Sequence, residues 1–512
     1  MCIRDSINAV LQLKVIAKVL NACDTIIAAT DASREGEMLF RHLYGFLGCK
    51  QPCLRLWISS LTDKAITEGM ANLLPCDRFD NLFLAADSRN RADWLLGVNS
   101  SYAICKAVGF GNNSLGRVQT PVLAEICRRY RERENHMPAD SWPVFISLCK
   151  NDRILKMRHV DDLVVRREAL ALYEDCKAAK SARITAVGKR TEEIGAPALY
   201  NLAELQKDAN RYHSLTAIQV QEIAQSLYEK KLISYPRTSS RLLPKDVYDM
   251  LPPVVEKMLS RKEFRQYAGT VDLAAPRDSI EAQDTMEHHA IIITGTQPGK
   301  LDREEMLVYT LIVGRVLETF MPPCKVEYTT VDTVCAARKF RIRTYRILEK
   351  GWLGIFEREH LVAKGCMPYQ VVPDLFQEEI LPVAGCSLIH KKSLPVSPYT
   401  DEELVNYMDK AGLGTVSTRT NILRTLLERK YIRYSGKYVV PTPKGLFLYE
   451  TVRGMKVADA SLTSGWETEL ARIERGELSQ GKFLDGVLET VNEVTGEIFR
   501  NHPVEKRPQG TT

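Results

Sequence analysis

The order of textures along the chain constrains its fold more than any single motif does. An α/β stretch comes first and a helical stretch follows over about 62–134. Alternating segments such as Val144-Phe145-Ile146-Ser147-Leu148 then open a strand-rich region near Trp142. Helices return over 198–231, strand texture returns near 325–375, and helices follow Tyr399. This near-palindrome predicts a chain that runs outward along an arch, builds a distal domain at about 196–322, and comes back by the same route. At 512 residues the chain is too long for one core.

Local signals fill in the plan. Apolar residues recur at helical spacing from Asn8 to Leu20, Asp24 to Thr30 reads as a strand, and Glu37 to Tyr44 reads as a helix. The run Thr25-Ile26-Ile27-Ala28-Ala29 is of the kind found in buried parallel sheets. Met1 to Ser6 shares no period with the helical spacing that begins at Asn8. Thr120-Pro121 predicts a helix start, with Thr as N-cap and Pro at the first helical position. Thr216 and Gln219 predict a capping box. Leu227 to Tyr235 echoes Leu426 to Tyr434, each closing an amphipathic helix and entering a strand. The second copy continues through a Ser435-Gly436 turn into Tyr438-Val439-Val440 and another helix, a winged-helix arrangement. Arg419, Arg424 and Arg429 stud its candidate recognition helix, as DNA contacts or as a solvated basic face.

Composition narrows the function classes. Charged residues at 26% and hydrophobic ones at 45% are ordinary for a globular chain. Lys plus Arg total 70 against 64 acidic residues, a net charge of +6 that permits a nucleic-acid partner without requiring one. Apolar runs such as Ala290 to Ile293 fall far short of the roughly 20 residues a membrane helix needs. The 13 cysteines include no Cys-x-x-Cys pair, which favours free thiols in a reducing cytoplasm over zinc or a disulfide framework. No Walker A loop is present, which argues against an ATP-driven motor.

Several segments can carry chemistry. Asp31-Ala-Ser-Arg-Glu-Gly-Glu37 lies between a strand and a helix, where α/β sheets place ligands. Its crowded carboxylates suit Mg²⁺, and equally a helix N-terminus stabilised by the dipole. In Tyr235-Pro-Arg-Thr-Ser-Ser-Arg241, a nucleophilic Tyr would need cationic help, and Arg237 and Arg241 can bind a phosphate. A Tyr packed at a helix–strand junction is the plainer alternative. Glu287-His288-His289-Ala290-Ile291-Ile292 offers a His for phosphate or for the Tyr environment, or else a surface pair. Ser114 to Pro121 and Gly412 to Arg419 each lead small residues and an Arg into a helix N-terminus, a natural phosphate site.

Taken together and in this order, the motifs resemble those of type IA DNA topoisomerases of the topoisomerase III kind. Asp31 to Glu37 resembles the D-x-D-x-E motif of a Toprim domain, and Ser114 to Pro121 the S-x-G-R-V-Q-T-P signature. Tyr235-Pro-Arg-Thr is similar to the catalytic Y-P-R-T, His288 to Ile292 to H-H-A-I-I, and Gly412 to Arg419 to G-x-G-T-x-x-T-R. Ser60 to Ile66 and Ala92 to Leu95 resemble segments of the family's helical domain. The resemblance implies a multidomain torus of α/β, α and β parts: a partial Toprim domain at 1–56, a helical base at 57–140, and a β arch at 141–195. It continues with the tyrosine domain at 196–322, the returning arch at 323–390, a helical and winged-helix base at 391–500, and a tail at 501–512. It implies an ATP-independent enzyme in which Tyr235 cuts one DNA strand and becomes linked to the 5′ phosphate. Another strand then passes and the cut is resealed, relaxing negative supercoils or decatenating DNA. Arg237, His288 and Glu35 would act in catalysis, Asp31 and Glu35 would hold Mg²⁺ with Glu37 a lesser candidate, and Arg117, Gln119, Arg241, Thr415 and Arg419 would bind DNA.

The same resemblance implies a monomer working on single-stranded regions, with a helicase as a further partner, in a bacterial cytoplasm at the nucleoid or on a mobile element. Three departures stand out: Ser33 replaces the motif's second Asp, Ser239 the Asp after Y-P-R-T, and Ile293 a common Pro. The family's opening strand with its E-K-P-S-like segment has no counterpart, so the chain reads as N-terminally truncated. Two other readings are a truncated single-strand-binding remnant without complete catalysis, and a Toprim nuclease or primase. The chain as given is expected to cleave poorly or not at all and to fail to relax supercoiled DNA with Mg²⁺, because general acid–base help worth about 10²- to 10⁴-fold would be missing. Relaxation assayed beside a form extended upstream checks this; equal rates would refute it.

Overall fold

A computed structural model describes residues 7–58, 63–109, 111–262, 264–273, 288–366 and 372–502. The opening segment, Ser60 to Thr62, Glu287 and the end of the tail lie outside the described residues.

The base is built from both ends of the chain. Helices Asp80–Val108 and Gln119–Glu134 share one apolar core with the elements between Tyr399 and Ile498. Leu96, Ile104, Val122 and Leu123 from the first stretch meet Leu404, Leu426, Phe483 and Val494 from the second. The long helix Asp80–Val108 lies against Gln480–Asn501 and Ala460–Glu474 on this face. Because neither half has a core of its own, the intervening chain must leave and return.

It leaves through a closed six-stranded barrel. Strands Val144–Lys150, Arg153–His159 and Ser181–Ile194 come from the outward run, and Cys324–Cys335, Arg338–Glu349 and Ile380–Leu388 from the return. Outward and returning strands pair directly, from Ile194↔Cys324 to Arg183↔Val334. The long ribbon reaches beyond the barrel core to a lobe with its own core, which draws on Leu199 through Phe320.

That lobe is anchored firmly to the ribbon. Trp352 donates its indole N–H to the Ile194 carbonyl at 2.8 Å. Beside it lies a buried ionic cluster: Arg315 pairs with Asp208 (2.8 Å) and Glu318 (3.0 Å), and Arg358 with the same two (3.2 and 3.3 Å). Tyr200 donates to Asp208 and accepts from Arg358. Burial pushes the Glu318 carboxyl up to about 7, against the pull of Arg358 and Arg315.

The winged helix forms as helix Val416–Glu428, strands Ile432–Ser435 and Tyr438–Pro441, and helix Pro443–Val452, with Tyr399–Thr400 as a third strand. Its turn residues are Gly436 and Lys437, one step later than expected, since Ser435 pairs with Tyr438. The first copy of that echo makes no strand; Ile233 forms only an isolated bridge to Ile293. The expected cap at Thr120 is also displaced. The helix starts at Gln119 with Val118 as N-cap, and the Thr120 hydroxyl accepts from the Gly116 N–H at 3.0 Å instead.

The first α/β unit is small. Strand Ile26–Ala28 runs parallel to Cys53–Arg55, and helix Arg34–Phe46 covers one face with Phe40. Ile27 is 40% exposed, so the apolar run is buried on one face, not two. The expectation of free thiols fails at one pair: Cys53 and Cys76 are joined, because the strand and the turn at Cys76–Phe79 bring their Cα atoms to 5.6 Å. No helix among the described residues is long and apolar enough to cross a membrane.

The ionic cluster makes a test of the anchor. Arg358→Met should cost about 3 kcal/mol, the low end for breaking a buried pair because Arg315 remains. Urea unfolding compared with the wild-type chain measures it, and a loss below about 1 kcal/mol would show the anchor to be apolar alone.

Candidate active site at the tyrosine and the acidic loop

The loop after strand Ile26–Ala28 is held by its backbone. Arg55 is fully buried and donates to the carbonyls of Ala28 (3.0 Å), Thr30 (2.7 Å) and Asp31 (2.6 Å). Its guanidinium also pairs with Glu37 at 3.0 Å, and Glu37 pairs with Arg41 at 2.8 Å. Glu37 is thus buried between two arginines, which removes it from the metal candidates. Ser33 caps helix Arg34–Phe46 by accepting from the Gly36 N–H at 3.2 Å. That cap is the work of Ser33, which stands where the D-x-D-x-E motif has its second Asp. Gly36 is required by space: a Cβ there would lie 2.1 Å from the Asp31 carbonyl oxygen.

The loop is tied to the base on two sides. Arg89 donates to Glu35 at 2.8 Å. Arg34 pairs with Glu474 (2.6 Å) and with Glu467 (3.4 Å). Asp31 and Glu35 remain as the carboxylates facing outward.

Tyr235 comes to this loop from the lobe. The segment Leu232–Ser234 zips against Ala290–Thr294: Ser234 N–H donates to the Ile292 carbonyl (2.8 Å), and the Ile292 N–H donates to the Ser234 hydroxyl (2.9 Å). The Thr238 hydroxyl donates to the His288 carbonyl at 3.0 Å. These bonds set two distant motifs side by side, so the His288 ring lies 4.6 Å from that of Tyr235. Tyr228 meets Tyr235 edge-on at 5.4 Å. The Tyr235 hydroxyl donates to Asp31 at 3.4 Å, across the seam between lobe and loop.

The electrostatics follow from this packing. Burial, and then the Asp31 charge, push the Tyr235 phenol up to about 12, while Arg237 opposes them. Burial lowers the His288 imidazole, so it is neutral near pH 7. The Nε of Arg237 is buried and has no hydrogen-bond partner, which suits an arginine kept for an anion.

The other expected residues stand elsewhere. Arg117 is 4% exposed and held by Asp93 (2.7 Å) and Glu467 (3.0 Å). Through Glu467 it reaches Arg34 and so supports the acidic loop. Gln119 and Ser114 both accept from Arg429 at 2.6 Å. Arg241 donates to the carbonyls of Leu199 and Ala198 at 3.1 Å each, and so holds the chain where it enters the lobe. Thr415 caps helix Val416–Glu428 together with Thr418. Arg419 is buried and pairs with Asp409 at 2.7 Å. Arg424 pairs with Glu222 of the lobe at the surface, so each of these arginines has a partner within the chain. Arg55 and Arg34 were not singled out in the sequence. Only their partners, one a set of backbone carbonyls and the other acids more than 400 positions away, reveal them.

A family profile described as DNA topoisomerase matches residues 77–485, which carry the base, the barrel and the tyrosine lobe. The chain belongs to the DNA topoisomerase family, in its type IA class. It is similar to DNA topoisomerase 3 of Bacillus licheniformis, with 30% identity over 505 residues, covering 92% of this chain and 68% of that one. DNA topoisomerase 3 of Bacillus subtilis is 29% identical over the same shares. The solved full-length topoisomerase I from Thermotoga maritima shares the fold at a TM-score of 0.75 and 20% identity, covering 99% of this chain and 84% of that chain.

Asp31→Asn removes the charge that helps to raise the phenol. The Tyr235 titration should therefore move down from about 12 toward the ordinary value near 10. Ultraviolet difference titration against Tyr235→Phe reads it, and an unmoved midpoint would separate the two groups.

Proposed function

We propose that Tyr235 is the nucleophile of a transient single-strand break, and that the seam between lobe and acidic loop is where the strand lies. The observation that carries this reading is the Tyr235 hydroxyl facing Asp31 from a separate lobe, with His288 against its ring and the Arg237 Nε without a hydrogen-bond partner. In the reaction the Tyr235 Oη–phosphorus bond forms as the phosphorus–O3′ bond breaks. The phenol loses its proton, the departing 3′ oxygen gains one, and a diester remains on the 5′ side. One ester is exchanged for another, so the reverse step reseals without ATP.

The chain's own groups divide the work. The Tyr235 phenol is protonated at neutral pH, so it must lose its proton as it attacks a phosphate seated beside Arg237. The guanidinium then stabilises charge developing on the phosphoryl oxygens. His288, neutral, can give one ring N–H to the same group. Asp31 and Glu35 fit Mg²⁺, which commonly takes one or two carboxylates and keeps several waters. Glu35 is 45% exposed on its side chain and gives one oxygen to Arg89, which leaves lone pairs for a cation. Mg²⁺ held there would supply positive charge to the reaction, and Glu35 would contribute to catalysis by holding it.

Arg117, Gln119, Arg241, Thr415 and Arg419 serve DNA through the segments that they hold in place. Single-stranded stretches are the substrate, and a helicase that exposes them is a fitting partner. Base, barrel and lobe close a ring within one chain, which supports a monomer relaxing or decatenating DNA by strand passage.

Tyr235→Phe should abolish the covalent adduct with a single-stranded oligonucleotide while its affinity stays within about twofold, since backbone contacts supply most of the binding. Chelating Mg²⁺ should leave adducts unsealed. Binding without any adduct from the wild-type chain would make it a DNA-binding remnant, and an adduct from the Phe variant would move the nucleophile elsewhere.

A further inference from the structure

Strand passage requires an opening, and the attachments of the lobe differ on its two sides. Toward the ribbon it is fixed by two chain crossings, Trp352, and the buried cluster of Arg315, Arg358, Asp208 and Glu318. Toward the base it is held without covalent links. Arg211 pairs with Glu402 at 2.6 Å, Arg424 with Glu222 at 2.6 Å, and Gln206 donates to Thr420 at 3.1 Å. The two ion pairs are partly exposed and so weak and screened by salt.

One contact across this seam is of another kind. Asp401 is 1% exposed and is the first residue of the base helix Asp401–Lys410. Its Oδ2 accepts from the backbone N–H of Ala217 at 2.7 Å, and Tyr434 donates to both carboxylate oxygens at 2.9 and 3.1 Å. Ala217 is the first residue of the lobe helix Ala217–Glu229, after the Thr216 cap, and is itself buried in the core of the base. Two helix N-termini from two bodies thus converge on one carboxylate, each with its positive dipole end toward it. Of the bonds that Asp401 makes, only the one to Ala217 crosses to the lobe, since Tyr434 and the helix Asp401–Lys410 belong to the base; Tyr434 in turn meets Thr216 of the lobe.

We infer that Asp401 is the latch that keeps the tyrosine lobe closed on the base, a positioning residue for gate opening and not for cleavage. Opening strips the Ala217 N–H from the buried Asp401 side chain and admits water to the small apolar socket that held the Ala217 side chain. The surface pairs set the approach, while Asp401 sets how long the closed state lasts. The latch rests on the strand-passage reading under Proposed function.

The test separates cleavage from opening. Adduct formation on a short oligonucleotide requires no passage, whereas steps in the length of a single-stranded tether held in magnetic tweezers report openings of the cleaved complex. Asp401→Leu should shorten the closed dwell by about tenfold or more, and Asp401→Asn, which keeps an acceptor, by less. Adduct yield should stay within about twofold for both. Ala217→Pro removes the one N–H donor at a helix position where Pro is tolerated, and should shorten the dwell while Asp401 stays in place. Unchanged dwells with normal adducts in Asp401→Asn and Ala217→Pro would overturn the latch alone. A wild-type chain that forms no adduct would overturn the strand-passage reading and the latch with it.

Discussion

The base core is shared by residues separated by most of the chain, and the rest of the architecture depends on that sharing. Leu96 and Ile104 cannot be buried until Phe483 and Val494 arrive. Apolar burial is non-directional, yet here it fixes topology, because the stretch between must form a closed excursion. Paired outward and returning strands are the economical form of that excursion, since each satisfies the other's backbone groups. The ribbon then holds its lobe at a set reach, and the ring closes where the lobe meets the base again.

The proposed chemistry sits at that closure. Asp31 belongs to a loop fixed by Arg55, Arg34 and Arg89, while Tyr235 belongs to a lobe fixed by the Arg315 and Arg358 cluster. Neither half carries the site alone. The hydroxyl-to-carboxylate contact at 3.4 Å is long for a hydrogen bond and so adds little to holding the two bodies together. Rigid support behind each partner, with little bonding between them, allows a site to assemble and separate without loss of either body.

Several side chains with phosphate-binding chemistry have been turned to structural ends. Arg117 lies over the Trp466 ring at 5.7 Å and between two acids, and Arg241 collects backbone carbonyls. A buried guanidinium needs its donors satisfied, and here acids and backbone carbonyls of the fold satisfy them. The same demand explains Ser33. A helix N-terminus packed against the Asp31 carbonyl requires a cap, and a hydroxyl supplies it without adding charge.

Much was legible in the residues themselves. Capping at Thr216, the helix–hairpin–helix after Val416, and the alternation of textures are local, and local signals survive whatever the rest of the chain does. The motifs around Asp31, Tyr235 and His288 likewise picked out residues that the fold brings together. What the sequence could not state was which arginines would be free. Arg237 and Arg117 look alike in a string of letters, and only tertiary packing gives Arg117 two acids and leaves the Arg237 Nε unpaired. The bond from Ala217 to Asp401 is of the same sort. It joins positions 184 apart, and distance in space is fixed by the shared core and the length of the ribbon, neither of which any local window contains.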